Sequence, residues 1–261
     1  MKVLIFNSAE EAAKSITAEI LDALAQKPDL VLGLATGSSP LGVYDRLVQA
    51  HRQDGISFAK VRTFNLDEYV GLASNHSQSF HHFMQTRLFD HLDIAPENIH
   101  FPPTMSGSIL NEDCARYEEA ILRVGGIDIQ ILGIGSNGHI GFNEPTSSLA
   151  SRTRIKTLTR KTLEDNARFY QNPKEQPRLA VTMGIRTILD AKQILLQAYG
   201  VKKAAAVHAA IEGPLSAFWP ASALQMHPHT TFYLDSQSAS LLRFVDYYRQ
   251  VQENDERRQS T

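Results

Sequence analysis

The sequence contains a single cysteine, Cys114. One cysteine cannot form an intrachain disulfide, which excludes a fold held together by such bonds. Cys114 lies in a helical pattern, where a small, at least partly buried side chain is expected. We expect no redox or nucleophilic role for it, because the sequence identifies no partner that would activate the thiol.

Long apolar runs and an excess of one charge are also missing. No run approaches the length of a membrane span, and residues 1–6 lead into a strand pattern rather than a signal peptide. The 26 Lys and Arg nearly balance the 28 Asp and Glu, for a net charge of -2. That balance gives no electrostatic footprint for nucleic acid or an anionic membrane. We therefore expect a soluble, cytoplasmic protein that binds neither. The overall charge balance does not exclude a local basic pocket for a small phosphate.

Apolar runs of strand length alternate with helical patterns along the whole chain. The 261 residues are 43% hydrophobic, enough for a substantial core, and no repeat, linker or composition shift divides them. This alternation predicts an α/β fold in one domain, residues 1–261, with a mostly parallel sheet covered by helices on both faces. The expected strands are 3–6, 30–34, 61–66, 127–132, 179–183, 193–199 and 230–234. The C-terminal tail is predicted to be helical over 239–252 and frayed over 253–261.

The most informative stretch is I-D-I-Q-I-L-G-I-G-S-N-G-H-I-G-F-N-E-P, residues 127–145. An apolar run typical of a buried strand breaks into four glycines, which let the backbone turn sharply and approach a ligand. Ligands bind beyond the carboxyl ends of the strands in open α/β sheets. The polar side chains placed there are Asn137, His139 and Glu144. The imidazole and the carboxylate are candidates for proton transfer; the alternative is an ordinary strand-to-helix turn.

The turn A-T-G-S-S-P, residues 35–40, follows a second buried strand and precedes a helix. A helix N-terminus presents free N–H groups and a positive dipole end to an anion. The candidate phosphate-binding residues are Thr36, Gly37, Ser38 and Ser39. The turn lacks the G-K-[ST] ending of a Walker loop. Simple capping of the helix by the serines is an equally good interpretation of the turn taken alone.

Two adjacent carboxylates, Asp67 and Glu68, stand where the third strand ends. Neighbouring side chains of an extended segment point to opposite sides, so at most one of them faces a shared site. We favour Asp67; a solvated acidic turn is the alternative. Four histidines follow within residues 75–91, but their spacing does not fit a metal site, and an amphipathic helix with surface or packing histidines is the better interpretation.

Three loop motifs together resemble the glucosamine-6-phosphate deaminase (isomerising) family. They are A-T-G-S-S-P at 35–40, N-L-D-E-Y-V-G-L at 65–72 and G-I-G-S-N-G-H-I-G-F-N-E-P at 133–145. The resemblance extends to residues 151–159 and 200–213, and so covers nearly the whole chain. It implies a Rossmann-like α/β domain that converts glucosamine 6-phosphate and water to fructose 6-phosphate and ammonia. It also implies that no metal or organic cofactor takes part.

The resemblance implies a role for each matching residue. Asp67 would move a proton from carbon 2 to carbon 1, and His139 would assist opening of the sugar ring, held by Glu144 and Asn137. Some family members have Asp at the position of Asn137. An Asn there can orient or hydrogen-bond but cannot ionise. The substrate phosphate would bind the 37–39 turn together with two cations, Arg168 and Lys203.

Some relatives are hexamers activated by N-acetylglucosamine 6-phosphate at a subunit interface. The residues that resemble this second phosphate site are Ser147, Arg154, Lys156 and Thr157. Shorter relatives lack the regulation. A homo-hexamer and activation by the acetylated sugar are therefore further expectations.

Two other functions fit parts of the pattern. A 6-phosphogluconolactonase shares the fold and a G-x-G-x-x-G-H loop, but its loop does not continue as I-G-F-N-E-P and it needs no base at D-E-Y-V-G-L. A non-catalytic sugar-phosphate-sensing domain of a transcription regulator would need a DNA-binding segment, which we do not expect here because the chain starts in its first strand.

Overall fold

Seven parallel strands form the central sheet of the computed structural model, which describes residues 1–104, 111–166 and 176–259. The strands in chain order are β1 (Lys2–Phe6), β2 (Val31–Leu34), β3 (Arg62–Asn65), β4 (Asp67–Tyr69), β5 (Ile99–His100), β6 (Ile129–Leu132), β7 (Arg154–Thr157), β8 (Leu179–Thr182), β9 (Gln193–Ala198) and β10 (Thr230–Asp235). The central sheet has the order β1-β10-β9-β6-β2-β3-β5. Every pair in it is parallel, so all its strands end at the same edge.

Helices cover both faces of this sheet, as the sequence predicts. They are α1 (Ala9–Gln26), α2 (Leu41–Asp54), α3 (Phe80–Arg87), α4 (Asn111–Arg123), α5 (Arg160–Asn166), α6 (Ile185–Leu189), α7 (Ala204–Ile211) and α8 (Val245–Gln259). Buried residues of α1, α2 and α3 form one core cluster, and those of α4, α6 and α7 form a second. The parallel strands between them are buried on both sides, which explains their continuous apolar runs. Among the described residues, no helix is both long and apolar enough to cross a lipid bilayer.

A second, smaller sheet was not predicted from the sequence. It has the order β4-β8-β7 with antiparallel pairs, in which Asp67 is paired with Thr182. Residues 179–183, expected in the parallel sheet, lie here instead. The two sheets meet at Leu66, whose N–H donates to Leu34 at 2.9 Å and whose carbonyl accepts from Met183 at 2.7 Å. Strands of three or four residues do not carry enough alternation to reveal which sheet they join.

The C-terminal helix differs from its expected limits. It begins at Val245 and continues to Gln259, so the frayed segment expected over 253–261 is helical as far as the structure describes it. Two contacts attach this helix to the first strand. The Gln252 side chain accepts from the Ile5 N–H at 3.0 Å, and Asp255 lies 2.7 Å from the Lys2 ammonium.

We expect Gly184→Ala to destabilise the fold by roughly 1–3 kcal/mol or more, because an added methyl group has no room. A Cβ at Gly184 would lie 2.0 Å from the Ser151 carbonyl oxygen. That carbonyl also accepts from Arg186 at 3.0 Å, so the backbone cannot move away freely. Gly71→Ala is the matched control: its φ is +89° with no atom near the added Cβ, and it should cost only about 1 kcal/mol of backbone strain. Urea unfolding measures both, and an equal effect would contradict the steric account.

Candidate active site

A cavity of about 940 Å³ opens at the carboxyl edge of the central sheet. The loops after β2, β3, β6 and β9 all contribute to its walls, because parallel strands end together at this edge. Such an edge is the usual ligand site of open α/β sheets, and the volume is in the range of small-molecule sites. The sequence-predicted residues that line it are Thr36, Gly37, Ser38, Ser39, Asp67, His139 and Lys203.

The loop after β6 folds tightly around the imidazole of His139. The Gly135 N–H donates to the His139 carbonyl at 2.9 Å. A Cβ at Gly135 would lie 2.3 Å from the His139 ring, so this glycine is needed for the ring to lie against the backbone. Farther along, Gly141 has a φ of +54°, and a Cβ there would lie 3.3 Å from an Asp67 carboxylate oxygen. The loop glycines therefore bring the imidazole and the carboxylate into one wall.

Asn137 and Glu144 lie behind this imidazole rather than in the cavity wall. The Asn137 amide donates to Glu144 Oε2 at 2.9 Å, and its Oδ1 accepts from the His139 N–H at 3.2 Å. Glu144 Oε2 is 3.7 Å from His139 Nδ1, too long for a hydrogen bond but close enough for charge attraction. Glu144 Oε1 accepts from the Thr159 N–H at 3.0 Å. Asn137 thus orients the Glu144 carboxylate and holds the backbone of His139.

The Glu144 carboxylate is 1% exposed and yet favours its charged form. Burial alone would raise its pKa, but the His139 ring, the Thr162 side chain and the Thr159 N–H together lower the pKa to about 2. Glu144 is therefore a fixed negative charge across the working pH range.

Asp67 has the opposite tendency. It is the first residue of β4 and 6% exposed, with its side chain in the cavity wall. Burial, and next the charge of neighbouring Glu68, raise its pKa to about 8, although a hydrogen bond from the Phe142 backbone opposes the shift. A carboxylate with so high a pKa is a far stronger base than one in water.

Glu68 points away from the cavity, as strand alternation predicts. Its carboxylate accepts from the N–H groups of Phe80 and His81, at 2.9 and 2.7 Å. The alternative of a solvated acidic turn is wrong, since both carboxylates are buried.

The turn at residues 35–40 carries the features expected of an anion site. Helix α2 begins at Leu41, and no described side chain caps its N-terminus with a hydrogen bond. Simple serine capping is therefore not observed, and residues 36–39, just before the helix, line the cavity. The Tyr44 hydroxyl donates to the Ala35 carbonyl at 2.6 Å and anchors the start of the turn.

Of the two expected phosphate cations, the structure describes one. Lys203 lines the cavity from a 3-10 helix, Val201–Lys203, that leads into α7. The Gly200 N–H before it donates to both Asp235 carboxylate oxygens, at 3.1 and 3.0 Å, which fixes this turn to the end of β10. Arg168 lies outside the described residues, so its role stays a prediction.

The residues expected to form a second phosphate site lie outside this cavity. Arg154 and Lys156 share one side of β7, and Thr157 is exposed on the other. The Arg154 guanidinium donates to Asn143 Oδ1 at 2.9 Å, next to Glu144 in the chain. Ser147 is buried.

Several cavity residues were not predicted from the sequence. They are Tyr69, Phe80, Lys161, Thr162, Glu164, Tyr199, Lys202 and Gln237. Tyr199 directly follows the end of β9 and Gln237 lies two residues after the end of β10, positions that would have identified them. Thr162 and Phe80 come from helices whose contact with the site has no sequence signal.

Within the described part of the chain, no group of three or more His, Cys, Asp or Glu side chains is arranged to hold a metal ion. The histidines of residues 75–91 have other contacts. His81 packs on the Phe101 ring at a centroid distance of 4.6 Å, and His91 Nδ1 lies 2.9 Å from the Arg52 guanidinium.

Proteins named glucosamine-6-phosphate deaminase resemble this chain over almost its full length. It is 55% identical to the glucosamine-6-phosphate deaminase of Hahella chejuensis (strain KCTC 2396) over 252 residues, covering 97% of this chain and 96% of that protein. It is 50% identical to the deaminase of Shewanella woodyi (strain ATCC 51908 / MS32), covering 97% and 95%.

Solved structures show the same fold. A monomeric glucosamine-6-phosphate deaminase superposes with a TM-score of 0.89 at 44% identity, covering 92% of this chain and 100% of that one. The 6-phosphogluconolactonase from Trypanosoma brucei reaches a TM-score of 0.70 at 19% identity, covering 92% and 98%, which shows likeness of fold alone. The family model for glucosamine-6-phosphate isomerases and 6-phosphogluconolactonases matches residues 7–233. The chain therefore belongs to the glucosamine-6-phosphate isomerase/6-phosphogluconolactonase family.

Proposed function

We propose that this chain is a glucosamine-6-phosphate deaminase, which converts glucosamine 6-phosphate and water to fructose 6-phosphate and ammonia. The main support is that one cavity contains a buried carboxylate, Asp67, an imidazole, His139, and a turn suited to an anion. Its relatives at 50% identity and above are named for this activity. We infer that residues 1–261 form one domain. We also infer that it works in the cytoplasm, because a charged sugar phosphate does not cross an apolar membrane and stays in the compartment where it is made.

The substrate phosphate binds the turn from Thr36 to Ser39 at the N-terminus of α2. N–H groups and the helix dipole stabilise a dianion there, and Lys203 adds a positive charge from the opposite wall. Arg168 is proposed as a second cation. Binding energy from the phosphate is used to align the reacting carbons, which lie at the other end of the sugar.

His139 opens the sugar ring. Breaking the bond between carbon 1 and the ring oxygen requires a proton to leave the carbon 1 hydroxyl and a proton to reach the ring oxygen. An imidazole exchanges protons near neutral pH and can do both. The fixed charge of Glu144 stabilises the imidazolium formed on the way, and Asn137 holds the Glu144 carboxylate and the backbone of His139 in place.

Asp67 then acts as the base. It takes the proton from carbon 2 of the open sugar while the oxygen on carbon 1 gains a proton, which leaves an enediol-type intermediate with nitrogen on carbon 2. Returning the first proton to carbon 1, with loss of a proton from the nitrogen, gives a neutral imine at carbon 2. Water adds to this imine, and the carbon–nitrogen bond breaks to give the ketone and ammonia, so atoms and charge balance. A rigid strand end holds the base in the alignment that removal of a weakly acidic C–H proton requires.

The two other functions are less well supported. A lactonase hydrolyses an ester and has no use for a buried base such as Asp67, and the lactonase likeness is 19% in sequence. Burying the Asp67 carboxylate lowers the stability of the fold, and a non-catalytic sensing domain has no function that requires it. Ammonia release from glucosamine 6-phosphate distinguishes all three, and only the proposed deaminase gives it.

We further infer that N-acetylglucosamine 6-phosphate activates a homo-hexamer through Ser147, Arg154, Lys156 and Thr157. Two observations support this inference. Arg154 and Lys156 place two cations on one side of β7, and Arg154 contacts Asn143, which directly precedes Glu144.

This inference predicts a sigmoidal dependence of rate on glucosamine 6-phosphate that turns hyperbolic when the acetylated sugar is added. Lys156→Met should lose the response to the activator and keep the basal rate, since Lys156 is outside the active-site cavity. A hyperbola with and without activator, or a monomer by light scattering, would contradict it.

Asp67→Asn should lower kcat by about 10²- to 10⁴-fold with little change in KM, because Asn cannot accept the proton. The exposed Asp45→Asn on α2 is the charge-matched control and should retain full activity. Steady-state ammonia release measures both. Normal turnover in Asp67→Asn would remove Asp67 as the base.

The same variant should be more stable than the wild type, which separates lost chemistry from lost folding. The pKa of Asp67 is about 8 in the folded state against 3.8 as the reference value. Between these two pH values the Asp67 carboxyl group is ionised in the unfolded chain but protonated in the folded protein. The free energy of unfolding of the wild type therefore falls as pH rises. The gain in Tm of Asp67→Asn should therefore grow from about pH 4 to about pH 8 and then level off. A pH-independent difference would contradict the shifted pKa.

Lys203→Met should raise KM about 10- to 100-fold and change kcat less, since a charge-assisted hydrogen bond to phosphate contributes about 1.5–3 kcal/mol. The exposed Lys60→Met removes the same charge far from the cavity lining and serves as control. If both variants behave alike in steady-state kinetics, Lys203 does not bind the phosphate.

A further inference from the structure

The two adjacent carboxylates of β4 are both buried, yet their surroundings differ. Asp67 is 6% exposed and Glu68 2%. Two neighbouring carboxylates with little access to water rarely ionise together, because each charge raises the pKa of the other. One of them must keep a proton more readily, and the hydrogen bonds around the pair decide which.

Glu68 has three backbone donors. Its Oε1 accepts from the Tyr69 N–H at 2.8 Å and the Phe80 N–H at 2.9 Å, and its Oε2 accepts from the His81 N–H at 2.7 Å. Every one of these contacts uses the carboxyl group as an acceptor, which suits the ionised form. Burial raises the pKa of Glu68 above its ordinary value, although the three N–H groups oppose the shift. Asp67 has one backbone N–H nearby, that of Phe142, and shares it with the Thr182 hydroxyl, to which this N–H donates at 3.0 Å.

These donors are also the start of helix α3. Phe80 and His81 are its first two residues, and Ser79 caps it by accepting from the His82 N–H at 3.0 Å. Two of the helix's unpaired N–H groups are thus satisfied by Glu68, and the positive end of the helix dipole favours a negative charge there. Phe80 lines the cavity. Glu68 therefore connects the strand that carries the base to a wall of the substrate site.

We propose that Glu68 is a positioning residue that carries the negative charge of the pair, so that Asp67 takes the proton and acts as a strong base. The same contacts hold Phe80 against the substrate. The inference rests on the proposed function, since it concerns the proton that Asp67 moves. Glu68 itself does not touch the sugar.

The other titratable groups near Asp67 do not provide this charge. Tyr117, on α4, faces Asp67, and burial raises its pKa well above the ordinary value, so it is neutral. Burial lowers the pKa of His81 on α3, with His82 beside it adding to the effect. Thr182, the partner of Asp67 on β8, has no charge. His139 and Lys203 line the same cavity and are cationic when charged, which would weaken rather than strengthen the base. Glu164 also lines the cavity, but its carboxylate is paired with the Arg160 guanidinium at 2.8 Å.

We expect Glu68→Gln to move the acidic limb of the pH profile of kcat/KM about one unit or more toward lower pH, since removal of a nearby negative charge weakens Asp67 as a base. Ser79→Ala is the matched control: it loosens the same helix N-terminus without changing a charge. It should lower the rate at most a few-fold and leave the acidic limb in place. An unmoved limb in Glu68→Gln, or an equal shift in Ser79→Ala, would overturn the proposal.

A carboxyl ¹³C NMR titration of the wild-type protein tests the same point without activity. Glu68 should titrate below Asp67, and Glu68→Gln should lower the Asp67 midpoint. A wild-type protein in which Asp67 loses its proton before Glu68 would refute the inference even if Glu68→Gln does not fold. The two proposals can fail separately, because absence of ammonia release in the wild type counts against the deaminase function and leaves this titration to be decided on its own.

Discussion

The burial of Asp67 at the junction of the two sheets is the constraint on which the site depends. A carboxylate out of water lowers the stability of the fold unless it holds a proton, and that tendency is what makes it a strong base. Asp67 stays buried despite this loss of stability because it begins β4 directly after Leu66, whose backbone is hydrogen-bonded to both sheets. A group in this position has little freedom to turn toward solvent. The same bonds that remove it from water also fix its direction.

The parallel sheet and the small sheet contribute different parts of the chemistry. Parallel strands end at one edge, where the turn at residues 35–40, the His139 loop and Lys203 come together. Strand β4 of the antiparallel sheet adds Asp67 to the same cavity. Two carboxyl groups of the site differ in their pKa: Glu144 stays charged behind the imidazole, whereas burial raises the pKa of Asp67 to about 8. Environments that drive two carboxyl groups apart in pKa assign one to electrostatic support and the other to proton transfer.

Much of this site could be predicted from local sequence. Alternation in an extended segment was enough to choose Asp67 over Glu68, and strand–glycine–helix patterns located His139 and residues 36–39. The small sheet could not be predicted, because β4 and β8 are too short for their periodicity to show a partner. Phe80 and Thr162 were missed for a different reason. Their place in the cavity wall depends on how the helices dock, and docking depends on contacts between residues distant in sequence. The structure also separated Asn137 and Glu144 from the cavity wall, which spacing alone does not reveal.

The central claim is that a fixed, buried carboxylate lies within reach of carbon 2 of an anchored sugar. A crystal structure with an open-chain 2-amino-hexitol 6-phosphate tests it most directly. The account predicts carbon 2 about 3–3.5 Å from the Asp67 carboxylate, with the phosphate at residues 36–39 and Lys203. A ligand bound with carbon 2 out of reach of Asp67, or on another face of the protein, would contradict it.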